Sequence, residues 1–335
     1  MYDDLIGLEE GMEELFVNPD ADTARAQFRE KNRGLTNKVM SAEEAVKTLI
    51  NDGDYLAVGG FGHVRIPTAI LYEVVRQGKK NLGMAGHTSI YDSDLLATPG
   101  LMDRCDISYV IGYEIRGLSA SARRAFQSKA IRKTDWSNGA LAWRFAAGAA
   151  GLSFIPSRHM LGTDTFRHSA AKTVECPFTG QRYCALPALY PDVAIIHVHN
   201  ADTYGNAQIT DGILISDPMV ARCSKRVIIS TERLIPHEEI RANPKDTTIP
   251  YYCVDAVVEQ PYGSHPGNMP GEYWFDEDFF KLYLNTVKTE EGAEQLYKEY
   301  IYDVASFEEY LEKIGGVKKM RELRAIEKVI YTNNC

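Results

Sequence analysis

Short apolar runs alternate along this chain with amphipathic stretches of helical length, and no other feature of the sequence limits its fold as much. Tyr55-Leu-Ala-Val58, Asn81-Leu-Gly-Met-Ala85, Ile107 to Ile111, Asp192-Val-Ala-Ile-Ile-His-Val198, Arg226-Val-Ile-Ile-Ser230 and Val254-Asp-Ala-Val-Val258 read as strands. The run from Asp192 to Val198 is the clearest, because an almost unbroken apolar stretch marks a strand covered on both faces. Between the runs lie helices. Ser41-Ala-Glu-Glu44 is a capping box, and Ala45, Val46, Leu49 and Ile50 then supply one apolar helical face. Pro67 to Gln77 carries its proline in the first turn, where a missing N–H costs nothing. Ala120 to Lys129 and the small-residue stretch Ala140 to Ala150 continue the rhythm, and the segment from Phe279 to Lys328 is helical throughout. Strand, helix, strand in this order predicts an α/β fold: an open, mostly parallel sheet with flanking helices.

The chain has 335 residues, 44% hydrophobic, enough for one large core. Residues 1–37 read as an N-terminal extension and 38–335 as one domain that includes the C-terminal helical segment. The extension is acidic at first (Asp3, Asp4, Glu9, Glu10) and basic later (Arg25, Arg29, Lys31), without a recognition-helix pattern. A net charge of -9 repels nucleic acid and anionic membranes, so neither is an expected partner. The six cysteines, Cys335 among them, are far apart and show no metal-ligand spacing, so no metal site is expected. The N-terminus carries no charged-then-apolar leader pattern, and a cytoplasmic location is expected.

Gly59-Gly60-Phe61-Gly62 follows a strand and precedes a helix. Backbone N–H groups in such a loop can face an anion or a developing oxyanion, and a Cβ would block that approach. A tight strand-to-helix turn would need the same glycines. The loop is not the dinucleotide fingerprint and lacks the Lys-Ser or Lys-Thr that closes a Walker loop. His197 and His199 flank Val198 on one strand and so share a face, but no acidic third ligand accompanies them. Glu114, in Gly112-Tyr-Glu-Ile-Arg116, is the one acid just after a candidate central strand, and a surface ion pair with Arg116 or Arg123 accounts for it.

Asp52-Gly-Asp-Tyr-Leu-Ala-Val-Gly-Gly-Phe61 with Pro67 resembles the signature of the family I coenzyme A transferases, A-type subunits in particular. The similarity runs on through Leu71 to Gly78, Gly151 to Pro156, Asp192 to His197, Asp202 to Asn206, Cys253 to Val258 and Pro261 to Pro266. Arg65 stands where many members carry glycine, a departure that is similar to the glutaconate branch. The resemblance implies a CoA-transferase (NagB-RpiA-like) fold and a coenzyme A thioester as substrate, with no bound cofactor. It implies transfer of CoA between carboxylic acids through an acyl-glutamyl anhydride and a glutamyl-CoA thioester. The family carries that glutamate after a strand of the B subunit. Here the corresponding strand end reads Ala85-Gly-His-Thr-Ser89. A B subunit bearing the nucleophile is therefore the expected partner, in an α2β2 or larger heteromer.

The same resemblance assigns Gly59, Gly60 and Phe61 to the loop that stabilises the thioester oxyanion. Arg65 is expected to hold the distal carboxylate of a dicarboxylic acyl group, with a solvent-facing loop charge as the alternative. His87, Thr88 and Ser89, at the ligand-facing edge of the sheet, are expected to contact substrate. Asn138 stands where ring-opening hydrolases of this fold carry a carboxylate. An amide cannot act as a base, so it is retained only as a substrate contact. Two further readings keep the fold but change the function: an acyl-CoA hydrolase or decarboxylase component, and a non-catalytic ligand sensor.

Overall fold

The computed structural model describes residues 10–212, 214 and 216–332, with side chains to residue 329. Asp3, Asp4, Glu9 and Cys335 lie outside the described residues. The strands are β1 (Tyr55–Val58), β2 (Leu82–Gly86), β3 (Met102–Ile107), β4 (Arg132–Asp135), β5 (Phe154–Ser157), β6 (Lys172–Glu175), β7 (Arg182–Pro187), β8 (Val193–Ala201), β9 (Ala207–Gln208), β10 (Arg226–Leu234) and β11 (Ala256–Glu259). Eight of them form one sheet, in the order β11-β10-β8-β1-β2-β3-β4, with β9 added antiparallel to β8. All other pairings in that sheet are parallel. From β1 the chain steps one way to β2, β3 and β4. From β8 it steps the other way to β10 and β11, so the direction of winding reverses between β1 and β8. Ligands of open parallel sheets bind in the crevice beyond the strand ends at such a reversal.

Side chains alternate across the sheet and feed two cores. Leu56, Val58, Val193, Ile195 and Ile228 enter one; Tyr55, Ala57, Ala194, Ile196 and Ile229 enter the other. The helices on the chain's first half are α1 (Ala21–Arg29), α2 (Ala42–Leu49), α3 (Thr68–Arg76), α4 (Tyr91–Ala97), α5 (Ala120–Gln127) and α6 (Asn138–Ala149). After them come α7 (Asp164–Arg167), α8 (Asp217–Cys223), α9 (His237–Ala242), α10 (Glu277–Thr286), α11 (Glu290–Tyr297), α12 (Phe307–Lys313) and α13 (Gly316–Thr332). The first core takes residues of α2, α3, α4 and α10 to α12, and the second takes α6, α8 and the N-terminal segment. As the capping box requires, Ser41 accepts the Glu44 N–H at 3.1 Å to open α2.

Three features differ from the sequence expectation. β3 lies five residues before the expected Ile107 start, over Met102-Asp-Arg-Cys-Asp-Ile107, because its Asp106 is buried by a polar network. Trp136 Nε1, Arg144 Nη1 and the Tyr55 hydroxyl all donate to that carboxylate. β4 was hidden because it is an edge strand with exposed Arg132 and Lys133. In the antiparallel sheet β5-β7-β6, the outer strands β5 and β6 were hidden because they are four residues long, half-exposed and without an apolar run. Residues 10–37 are packed against the body: Val17, Ala21 and Ala24 are buried in the second core. Gly11 N–H donates to Ala171 O at 2.7 Å.

Candidate active site

The Gly59–Gly62 loop leaves β1 at the winding reversal, where a ligand crevice belongs. Its amides are not idle. Gly59 N–H donates to Ile195 O at 2.9 Å, Gly60 N–H to Asp217 Oδ1 at 2.9 Å, Phe61 N–H to Val64 O at 3.0 Å and Gly62 N–H to Thr88 O at 2.8 Å. The expectation that Gly59, Gly60 and Phe61 present oxyanion donors is corrected by this geometry, since each N–H already has an acceptor within the chain. Beyond the tip, Val64 N–H and Arg65 N–H are bound as well, to Phe61 O and Asn268 O. The His63 N–H alone in this loop has no partner among the described residues.

Arg65 is also corrected. It neither reaches into the crevice nor faces solvent: its side chain and that of Asp217 are both 0% exposed. Nη1 and Nη2 donate to Asp217 Oδ1 and Oδ2 at 3.0 and 3.1 Å, a paired arrangement that leaves that fork engaged. Asp217 at the head of α8 thus holds the arginine and the Gly60 amide together. A Cβ on Gly59 would lie 2.8 Å from its Oδ1. The first glycine is needed because a buried carboxylate packs beneath the loop, not because an incoming anion approaches from above.

His87, Thr88, Ser89 and Asn138 are brought to the loop. His87 sets its ring edge-on to Phe61, 5.2 Å between centroids. Burial pulls its pKa below the usual range against the opposing pull of the Asp217 carboxylate. Thr88, with φ at 57°, accepts from Gly62 through its carbonyl and donates from Oγ1 to Asn138 Oδ1 at 3.2 Å. Asn138 opens α6 behind the capping hydroxyl of Ser137 and is exposed. Ser89 is 3% exposed. His87 Nδ1 and both His63 ring nitrogens are buried without a hydrogen-bond partner among the described residues. So is Asp92 Oδ1 just below, and burial pushes that carboxyl up to about 7. Orphaned polar atoms concentrated around one loop mark a surface that is completed by something else.

Sequence reasoning missed His63, Asp92 and Asp217. His63 is packed among Tyr113, Phe275 and Phe280, and burial, with Arg116 nearby, drops its pKa to about 3. Glu114 stands at the rim, its Oε1 3.9 Å from where a Gly62 Cβ would be. It lies 3.8 Å from Arg116, which is bound more closely to Glu277 at 2.5 Å. His197 and His199 are fully engaged: His197 with Ser230 Oγ and Glu232 Oε1, both at 2.8 Å, and His199 with Pro270 O and Thr210 N. Glu232 is an acid beside His197 that spacing could not reveal. No group of His, Cys, Asp and Glu among the described residues has the arrangement of a metal site. No helix among them is long and apolar enough to cross a membrane.

This sheet, its reversal and the loop on it define a recognised class. The coenzyme A transferase family model matches residues 39–260. The chain belongs to that family, as an A-type subunit. It is 32% identical to the A subunit of glutaconate CoA-transferase from Acidaminococcus fermentans, over 84% of this chain and 93% of that protein. The solved structure of the same enzyme superposes with a TM-score of 0.82 at 31% identity, covering 86% of this chain and 95% of that one. An uncharacterised protein of Archaeoglobus fulgidus is 50% identical over 96% of this chain and 72% of its own length. A chain of the decarboxylase AibA/AibB is 30% identical, with a TM-score of 0.69, over 77% of this chain and 97% of its own.

Proposed function

We propose that this chain is the A subunit of a heteromeric enzyme that moves coenzyme A between carboxylic acids, the attacking carboxylate being supplied by a B subunit. One observation carries the reading. The crevice at the winding reversal is walled by a prebuilt glycine loop and bordered by buried polar atoms, His87 Nδ1 and both His63 ring nitrogens among them, that lack partners among the described residues. A surface that is finished structurally and unfinished chemically suits a subunit that waits for a second chain. The similarity to the A subunit of glutaconate CoA-transferase supports the same reading.

In this scheme the partner's carboxylate attacks the thioester carbonyl. The C–S bond breaks, CoA leaves as a thiolate, and an acyl anhydride remains on the partner. The thiolate then attacks the partner's carbonyl carbon of that anhydride, releasing the first acid and forming an enzyme–CoA thioester. A second carboxylate reverses the two steps. His87 and Asn138 border the reacting groups, and the His63 N–H is the loop amide left to polarise a carbonyl. Gly59, Gly60 and Phe61 act as the fixed wall. A dicarboxylic acyl group would have its second carboxylate read by groups other than Arg65.

The chain co-expressed with its partner subunit is expected to exchange CoA between acetate and at least one acyl-CoA, and the chain alone to be inert. Labelled acyl group trapped on the isolated chain would overturn the proposal. The similarity to AibA/AibB favours a decarboxylase as the second reading. The residue after the equivalent strand of the partner discriminates: glutamate for transfer, cysteine for the alternative.

A further inference from the structure

On a chain of net charge -9, a concave region lined by basic groups stands out. Two adjoining cavities of about 550 and 360 Å3 meet at Arg222 and Tyr252, which line both. Arg241, His237 and Tyr251 line the larger, and Lys31, Arg33 and Phe28 the smaller. No aspartate or glutamate lines either one. Glu30, Glu238, Glu239 and Asp246, each next in sequence to a lining residue, are outside both linings. Some of the cations are occupied: Lys31 pairs with Asp255 at 2.9 Å and His237 with Asp202 at 2.7 Å. Arg222 and Arg241 are exposed and make no hydrogen bond or ion pair among the described residues.

Two uncommitted guanidinium forks in a groove without carboxylates are donors for a phosphate, whose oxygens they can bind in pairs. Aromatic faces at the same junction, with Tyr252 44% exposed, offer a platform for a planar ring. Both volumes fall in the range of about 300–1,000 Å3 typical of small-molecule sites. Arg222 is five residues along α8 from Asp217, about 7–8 Å of helix rise from the carboxylate beneath the glycine loop. Neither lining includes a residue of the glycine loop or Asp217.

We propose that this two-lobed groove binds a nucleoside phosphate, its phosphates held by Arg222 and Arg241 and its base laid against Tyr252. The proposal does not depend on the transferase reading. The same chemistry is carried by a free nucleotide and by the nucleotide end of coenzyme A. Isothermal titration of the full chain with ADP, adenosine, inorganic phosphate and CoA tests it. ADP is expected to bind saturably, with adenosine and phosphate each weaker by about tenfold or more because each uses only half of the site. Arg222→Glu and Arg241→Glu should each weaken ADP by about tenfold while leaving the unfolding midpoint unchanged, and Arg222→Lys should weaken it less. CoA that competes with ADP and is weakened by Arg222→Glu identifies the CoA nucleotide as the occupant. CoA that neither competes nor responds identifies a free nucleotide. Absence of saturable ADP binding up to about 1 mM, or ADP affinity unaltered by both charge reversals, overturns the proposal.

Discussion

Asp217 satisfies the Gly60 amide and the fork of Arg65 without access to water, so removing its charge takes from a buried guanidinium the carboxylate that its fork engages. Asp217→Asn is expected to cost about 3–5 kcal/mol in chemical denaturation, and the double variant Arg65→Met/Asp217→Leu to recover much of that loss. Two other buried groups make opposite demands on pH. His63 is folded as a neutral ring with its pKa depressed to about 3, so the unfolded chain binds the extra proton first. Its contribution is fully present above the ordinary histidine range and falls by up to about 1.4 kcal/mol per pH unit between about 6.5 and 3. Asp92, raised to about 7, is comfortable as an acid when protonated; its contribution is present below the ordinary aspartate range and is lost as pH rises toward 7. Denaturation between pH 4 and 8 should show His63→Phe flattening the acid side and Asp92→Asn stabilising the protein more at pH 8 than at pH 5.

At the scale of the element, Gly60 is the glycine of its loop that admits least change. Its φ is 83° and an added Cβ would meet Arg65 O at 2.8 Å, whereas Gly53, with φ at 84°, has nothing within 4 Å of the same atom. Gly60→Ala should therefore cost more than Gly53→Ala by about 1–3 kcal/mol, the difference isolating the close approach from the backbone strain common to both. Equal losses would show that the loop yields. Strands β1, β8 and β10 were legible because both faces are buried and apolar runs result. β3 and β4 were not: Asp106, Arg132 and Lys133 are tolerated by a buried network in one and by a solvated edge in the other. α8 carried no signal for its task, since Asp217 meets Arg65 across 152 positions of sequence.

For the whole molecule, the order of strands, the glycine loop and the proximity of His87, Thr88 and Asn138 to it followed from local pattern and resemblance. What each group does there did not, because donors and acceptors are allotted by tertiary contacts that spacing cannot express. The loop amides and Arg65 are the instances: both were assigned to a ligand and both are engaged by the chain itself. The N-terminal segment belongs to this scale too. Deleting residues 1–37 would uncover the core beneath Val17, Ala21 and Ala24, and is expected to cost about 2–4 kcal/mol, read as a lowered denaturation midpoint. An unchanged midpoint would mean that the segment rests on the body without stabilising it.

A wall whose hydrogen bonds are closed before anything arrives has little left to rearrange. Binding there requires no ordering of backbone, so encounter with a second chain can proceed as the docking of a finished half-mould. Selectivity for one acid over another would then be tuned at the side chains lining the mouth and on the opposite polypeptide, while the glycines stay fixed through every change of diet.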